Sequence, residues 1–180
     1  MTQNPLTVGG IPIPTDSPTF LAVLAVHVIA GLCSTITGIA AMLSRKGQGR
    51  HPQWGTLYYR CLTVVSLTMG VLAAMRWAED YHLFFLGVLS YSAAVVARKA
   101  ARSRRAGWVR LHITGMGASY ILMLPASYVD NGKNLAVWRD LPAWTYWLLP
   151  SAVGIPLIFR ALLRNPLAVA ERRNAKSGMP

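Results

Sequence analysis

Residues 20–43, FLAVLAVHVIAGLCSTITGIAAML, contain no Asp, Glu, Lys or Arg, and His27 is the one histidine that interrupts them. A transmembrane helix needs roughly 20 mostly apolar residues to cross ~30 Å of hydrocarbon. This stretch therefore predicts a helix that crosses a membrane, with Pro18 at its start.

Four further apolar blocks follow, separated by short basic or polar connections. They predict spans over residues 54–75, 81–97, 108–129 and 144–163. Proline residues inside the last two blocks (Pro125, Pro150 and Pro156) predict bent helices. The sequence predicts an all-α, polytopic membrane helix bundle of about five transmembrane helices. The bundle covers residues 20–165, after an N-terminal segment over 1–19 and before a basic tail over 166–180.

The charge distribution predicts the orientation of the chain. It carries 18 Lys and Arg residues against 6 Asp and Glu residues, a formal charge of +12. Because most of the positive charges lie in alternate short connections between apolar blocks, they indicate lipid headgroups of the bilayer and no nucleic acid. By the positive-inside rule, the N-terminus lies outside and the C-terminus lies in the cytoplasm, as in a multi-pass protein of the cell (inner or plasma) membrane.

Several kinds of motif are absent from the sequence. The first 19 residues contain no Lys or Arg, so they lack the basic start of a cleavable signal peptide. There is no P-loop, no glycine-rich nucleotide motif, no GxSxG element and no HExxH motif. Cys33 and Cys61 lie at similar depths in neighbouring predicted spans, and we interpret them as small apolar residues.

All four histidines lie in or beside predicted spans, where an ionisable side chain is costly and marks a candidate functional site. His27 and His82 lie towards the outer side on spans one and three, whereas His51 and His112 lie towards the inner side on spans two and four. Two imidazoles on facing helices can ligate one haem iron from both sides of the porphyrin. This arrangement predicts haem b in two bis-histidine sites, for transmembrane electron transfer to a redox partner.

Small residues share a helical face with two of these histidines, and they leave room for a flat macrocycle or equally for a neighbouring helix. These residues are Gly31, Ser34 and Gly38 beside His27, and Gly115, Met116 and Ser119 beside His112. The pairing has a weakness, because His27 lies several ångströms deeper than His82 unless the third helix tilts or begins earlier.

Each histidine also has a purely structural interpretation. His27 is placed to form a hydrogen bond to a neighbouring helix, and His51 to cap the second helix or to meet headgroups. His82 is placed as a solvated loop residue beside acidic neighbours. His112 is placed to extend towards the inner interface.

Two other functions fit the sequence. One is a cofactor-free carrier of a small-molecule ligand, in which histidines and tyrosines line a polar path. The other is a membrane enzyme with an outer metal site at His27, His82 and Asp130, joined by Glu79 and Asp80. A further group of residues fits a quinone site, a proton path or interface anchoring: Tyr58, Tyr59, Arg60, Tyr120 and Tyr128. The sequence sets no oligomeric state.

Two runs of sequence resemble a family of uncharacterised bacterial membrane proteins. The first is HVIAGLCSTITGIAAMLSRKGQGRHPQWGTLYYR over residues 27–60, and the second is RLHITGMGASYILMLPASYVDNGKNL over residues 110–135. The run LPAWTYWLLPSAVGIPLI over 141–158 resembles the fifth span of the same family. This chain has Pro52 where many relatives carry arginine. The resemblance implies an all-helical membrane protein and highlights the same histidines, without implying an activity.

Overall fold

The computed structural model describes residues 7–8, 11–12, 17–46, 49–131 and 139–177, and these residues are almost wholly helical. Two short strands, β1 (Thr7–Val8) and β2 (Ile11–Pro12), pair in antiparallel orientation. Six helices follow: α1 (Pro18–Leu43), α2 (Arg50–Met75), α3 (Trp77–Ser103), α4 (Trp108–Asn131), α5 (Ala143–Arg164) and α6 (Pro166–Ser177).

The predicted all-α membrane bundle is confirmed. Within the described residues, four helices (α1, α2, α3 and α5) are long and apolar enough to cross a membrane. The fourth predicted span corresponds to α4, which has 24 residues and is also long enough. It is less apolar because its first two turns contain Arg110, His112 and Thr114.

Helices α2 and α3 extend beyond their predicted spans, and one further helix was not predicted. Helix α2 begins four residues before the predicted span, so His51 lies in its first turn rather than ahead of it. Helix α3 begins at Trp77, four residues before its predicted span. Helix α3 continues to Ser103, because a helix extends past its apolar block where exposed basic residues meet water or headgroups. The predicted basic tail over 166–180 contains a helix, α6, which the sequence analysis missed.

The chain divides into two compact units, and the first consists of residues 1–87 with 133–140. In this unit α1 and α2 pack as an antiparallel pair joined by a short connection. Gly49 closes this connection with φ +105°, a backbone conformation that favours glycine. The buried residues of α1 are mostly small: Ala30, Ser34, Thr37, Gly38 and Ala41. In contrast, Ile29 and Ile36 are each 63% exposed, as expected for side chains that face lipid.

The second unit consists of residues 88–132 with 141–180. In this unit α4 packs antiparallel to α5 at two positions along both helices. Gly117 lies against Ile158, and Gly154 lies against Ile121. The two pairs fix a register in which α4 runs beside most of the length of α5. Glycine allows this close approach at both positions, because a Cβ atom there would displace the facing isoleucine side chain.

Candidate functional site

His27 forms a hydrogen bond between α1 and α2. Its Nδ1 atom lies 2.9 Å from Oγ1 of Thr68. The Thr68 hydroxyl in turn donates to the backbone oxygens of Val64 and Val65, at 2.8 and 3.0 Å. The Thr68 hydroxyl has one hydrogen, which it donates to these oxygens within α2. In the hydrogen bond between Thr68 and His27, the imidazole Nδ1 is therefore the donor and the hydroxyl oxygen is the acceptor.

His51 forms a second hydrogen bond between the same helices. Its Nδ1 atom lies 2.8 Å from the backbone oxygen of Ala41, in the last turn of α1. Lys46 donates from Nζ to the oxygens of Ala41 and Met42, at 3.3 and 2.7 Å. Both side chains therefore satisfy carbonyl groups that the end of α1 leaves without helical partners. Partial burial of the Lys46 ammonium lowers its pKa below the usual 10.5.

His112 repeats this arrangement in the second unit. Its Nδ1 atom lies 3.2 Å from the backbone oxygen of Ala97 on α3. A carbonyl oxygen only accepts hydrogen bonds, so Nδ1 of both His51 and His112 must carry the proton.

The three histidines therefore share one tautomer. In a neutral imidazole with its proton on Nδ1, the lone pair is on Nε2, and that nitrogen is the one able to bind a metal ion. A backbone oxygen or hydroxyl that holds Nδ1–H also fixes the ring, as in many metal-ligating histidines. The hydrogen bond of His27 to a neighbouring helix is the one that its structural interpretation predicted. The bonds of His51 and His112 to backbone oxygens of neighbouring helices were not predicted.

His82 differs from the other three histidines. It is half-buried in the second turn of α3, and its ring meets the ring of Tyr81 edge-on with centroids 5.6 Å apart. Neighbouring Asp80 is buried at 6% exposure and lies 3.8 Å from the guanidinium of Arg76. His82 therefore lies inside a helix and not in the solvated loop that its structural interpretation had predicted.

The helix register gives the relative depth of His27 and His82 in the first unit. Residues 27 and 68 are level across α1 and α2, and Gly87 of α3 approaches Met69 of α2. Helices α2 and α3 are joined at Arg76, so this contact places His82 level with residues 70–74 of α2. The α1–α2 register then places His82 level with residues 21–25 of α1. His27 therefore lies deeper than His82 by ~3–9 Å at 1.5 Å per helical residue.

The small-residue faces beside the histidines are mostly filled by protein. On α1, Ser34 is 0% exposed and Gly38 is buried. On α4, a Cβ atom at Gly115 would lie 2.8 Å from Cβ of Ala97 on α3. Ser90 Oγ donates to the Ser119 backbone oxygen at 2.7 Å. These small residues were expected to admit either a macrocycle or a neighbouring helix. At each position named here, the neighbour is protein.

Open space remains next to two of the histidines. Gly31 follows His27 by four residues, and a Cβ atom built there meets nothing within 4 Å. Gly55 follows His51 by four residues and is equally open. Among the described side chains, the hydroxyls of Ser34 and Ser66 are buried without a hydrogen-bond partner. The imidazoles fit an iron ligand by their chemistry, and a side chain at Gly31 or Gly55 would meet no protein atom within 4 Å.

The alternative outer metal site has limited support. Within the described part of the chain, no three His, Cys, Asp or Glu side chains group closely enough to hold a metal ion. His27, His82, Glu79 and Asp80 therefore do not form such a group by themselves. The side chain of Asp130 lies outside the described residues, so its participation stays a prediction.

Two of the residues predicted for a quinone site or proton path, Tyr58 and Arg60, differ in their exposure. Tyr58 is buried at 2% exposure, whereas Arg60 is exposed on α2. Arg60 borders a surface groove of ≈ 420 Å³ whose other lining residues are Pro52, Gln53, Thr56 and Leu57. The groove therefore lies along one face of α2, and the buried Tyr58 is not among its lining residues. The side chain of Tyr128 lies outside the described residues.

Comparison of the chain with models of protein families, with curated proteins and with solved structures finds no match. The resemblance of residues 27–60 and 110–135 to a bacterial membrane family therefore stays a prediction. The functional assignment rests on the geometry of the histidines.

Proposed function

We propose that this multi-pass membrane protein binds haem b and transfers electrons across the bilayer. The observation that carries the proposal is the Nδ1 hydrogen bond shared by His27, His51 and His112. In each ring the nitrogen without a proton is then Nε2, which is the atom that would ligate iron, and the hydrogen bond at Nδ1 helps to orient the ring. His82 is the fourth ligand that the sequence predicts.

The chain's own residues perform two tasks in this proposal. Thr68 and the carbonyl oxygens of Ala41 and Ala97 hold the imidazoles in one tautomer, which raises the basicity of Nε2 as a ligand. The apolar helices exclude water, which lowers the dielectric constant around the rings. Haem b supplies a one-electron iron couple when it is bound, with a potential set by its axial ligands and surroundings.

We also propose that α4 crosses the membrane, although it is less apolar than the other four long helices. The support is its antiparallel packing along α5 through Gly117 and Gly154. With five crossing helices, the chain ends lie on opposite faces. The positive-inside rule then favours an outer N-terminus and a cytoplasmic C-terminus in a bacterial inner membrane.

The deciding experiment is an absorption spectrum of detergent-purified protein from haem-sufficient cells, in oxidised and dithionite-reduced forms. We expect a six-coordinate b-type spectrum with close to two haems per chain. Colourless protein that also fails to take up added haem would overturn the proposal. Elemental analysis of the same sample distinguishes haem iron from zinc at the alternative outer site of His27, His82 and Asp130.

A cofactor-free carrier is the second candidate function. The buried hydroxyls of Ser34 and Ser66, which have no partner among the described residues, favour it because such groups often mark a site for a polar ligand. This candidate predicts colourless protein whose melting temperature rises with a small-molecule ligand such as a quinone. Coloured protein with stoichiometric haem would exclude it.

A further inference from the structure

Glu171 on α6 binds the first turn of α4. Its Oε1 atom accepts a hydrogen bond from the Val109 amide at 3.2 Å, and its Oε2 atom accepts one from the Arg110 amide at 3.3 Å. The first amides of a helix have no partner within the helix and carry partial positive charge. A carboxylate that uses both oxygens on these amides therefore connects α6 to the start of α4.

The start of α6 is also fixed. The Oδ1 atom of Asn165 accepts hydrogen bonds from the amides of Leu167 and Ala168, at 3.0 and 3.3 Å, and so caps the helix. The Ala168 side chain is 2% exposed, which shows that this face of α6 is packed. The C-terminal helix is therefore held in a defined position against α4 and α5.

Exposed arginines surround this connection. We call them the basic surface, and they are Arg104, Arg105, Arg110, Arg172 and Arg173. Two ion pairs lie within the described residues, Arg76–Asp80 and Arg139–Asp140, and neither involves an arginine of the basic surface. Glu171, the nearest acidic residue in sequence, uses its oxygens on backbone amides. The basic surface therefore carries a large positive charge, which attracts anionic groups.

The basic surface lies at the ends of two apolar helices. Helix α5 ends at Arg164, and α6 begins two residues later at Pro166. Helix α3 ends at Ser103, immediately before Arg104. Both helices are long and apolar enough to cross a membrane. Their C-terminal ends therefore lie at the level of the headgroups. The Arg104 guanidinium also stacks over Trp108 at 5.0 Å from the ring centroid, an aromatic typical of the interface.

We propose that the basic surface binds the phosphates of anionic phospholipid headgroups, and that Glu171 positions α6 so that its two arginines join those of the α3–α4 connection. Leu167, which is 58% exposed on α6, would enter the boundary between headgroups and acyl chains. A lipid surface is favoured over another macromolecule because the arginines lie where only headgroup phosphates form a dense anionic layer. This inference is independent of haem binding.

The first experiment measures trypsin cleavage after Arg172 and Arg173 in the full-length protein in nanodiscs. The lipids are phosphatidylcholine alone or an equal mixture with phosphatidylglycerol. We expect cleavage to be at least about tenfold slower in the anionic discs, since several arginines near the surface each add to the attraction. High salt should remove the difference. Equal rates in both lipids would overturn the proposal.

The second experiment tests the positioning by Glu171. In Glu171→Gln the side chain keeps a carbonyl acceptor but loses its charge and its second acceptor oxygen, so α6 should be held less firmly. We expect faster cleavage after Arg172 in anionic discs than in the unmodified protein. Unchanged protection in this variant would show that Glu171 does not position the basic surface.

The third experiment compares two variants with the same loss of charge. Arg172→Gln/Arg173→Gln removes two arginines of the basic surface, and Arg45→Gln/Arg50→Gln removes two from the α1–α2 connection. Native mass spectrometry should show retained phosphatidylglycerol falling severalfold in the first variant and little in the second. An equal fall in both would indicate general charge attraction only. Displacement of the lipid by millimolar inorganic phosphate would indicate a phosphate site instead.

Discussion

The imidazole of His27 donates a hydrogen bond to the hydroxyl of Thr68, with Nδ1 and Oγ1 2.9 Å apart across the α1–α2 pair. This bond performs two tasks. It joins two helices at a defined register, and it determines which ring nitrogen carries the proton. In this proposal, Nδ1 of His27 has a structural role and Nε2 has a ligand role. Variants that replace only one of the two nitrogens can distinguish these roles.

Thr68→Val should destabilise the helix pair, because the Nδ1–H of His27 loses its acceptor. Hydrogen bonds between membrane helices contribute about 0.6 kcal/mol on average and up to about 1.7 kcal/mol. We expect a loss of unfolding free energy in that range, measured by reversible unfolding in mixed detergent micelles. Thr114→Val is the matched control, since Thr114 Oγ1 donates only to Arg110 and Leu111 of its own helix. Equal losses in both variants would contradict a role for the interhelical bond.

His27→Asn and His27→Gln separate the two imidazole nitrogens. The Asn amide nitrogen can replace Nδ1 as the donor to Thr68, but no atom replaces Nε2. We expect His27→Asn to keep near-native stability and to lose about half of the bound haem, measured by the reduced absorption spectrum. His27→Gln lacks the donor near Thr68, so it should lose both stability and haem. Full haem content in His27→Asn would show that His27 is not a ligand.

Gly115→Ala should disrupt the packing of α3 against α4. The added Cβ would lie 2.8 Å from Cβ of Ala97 and 3.0 Å from the backbone oxygen of Ala93, and neither atom can rotate away. Overpacking of this kind costs about 1–3 kcal/mol. Gly31→Ala is the control, because its Cβ meets nothing within 4 Å and alanine favours a helix by up to ~1 kcal/mol. The stabilities of the two variants in detergent should therefore change in opposite directions.

Cys33 and Cys61 test the register of α1 and α2 without any mutation. The bonds of His27 to Thr68 and of His51 to Ala41 fix an antiparallel pairing in which the two cysteines are level. Oxidation with copper phenanthroline should join them into an intramolecular disulfide, detected by peptide mapping, if their Cα atoms are within about 7 Å.

The control for this cross-link turns one thiol to another side of α1. Cys33→Ser combined with Leu32→Cys moves the thiol by one residue, which rotates it ~100° around the helix axis. This variant should oxidise much more slowly than the natural pair. Equal rates in both proteins would show that the proposed register is wrong.

The sequence by itself determined the membrane class and most of the helices. Apolar runs without charge, such as residues 20–43, have no stable alternative to a helix in lipid, because every backbone amide must find its partner within the segment. The positions of the four histidines were also visible in the sequence. The tail was not recognised as helical, because α6 depends on a cap by Asn165 and a distant contact from Glu171.

Only the tertiary structure decided what surrounds the histidines. Small residues beside His27 and His112 admit either a macrocycle or a helix, and sequence spacing cannot distinguish these two neighbours. The structure fills the faces at Ser34 and Gly115 with protein and leaves open space at Gly31 and Gly55. Likewise, the Nδ1 hydrogen bonds join residues up to 41 positions apart, so they depend on helix register. Local pattern fixes which segments form helices, but contacts between helices fix the chemistry of their side chains.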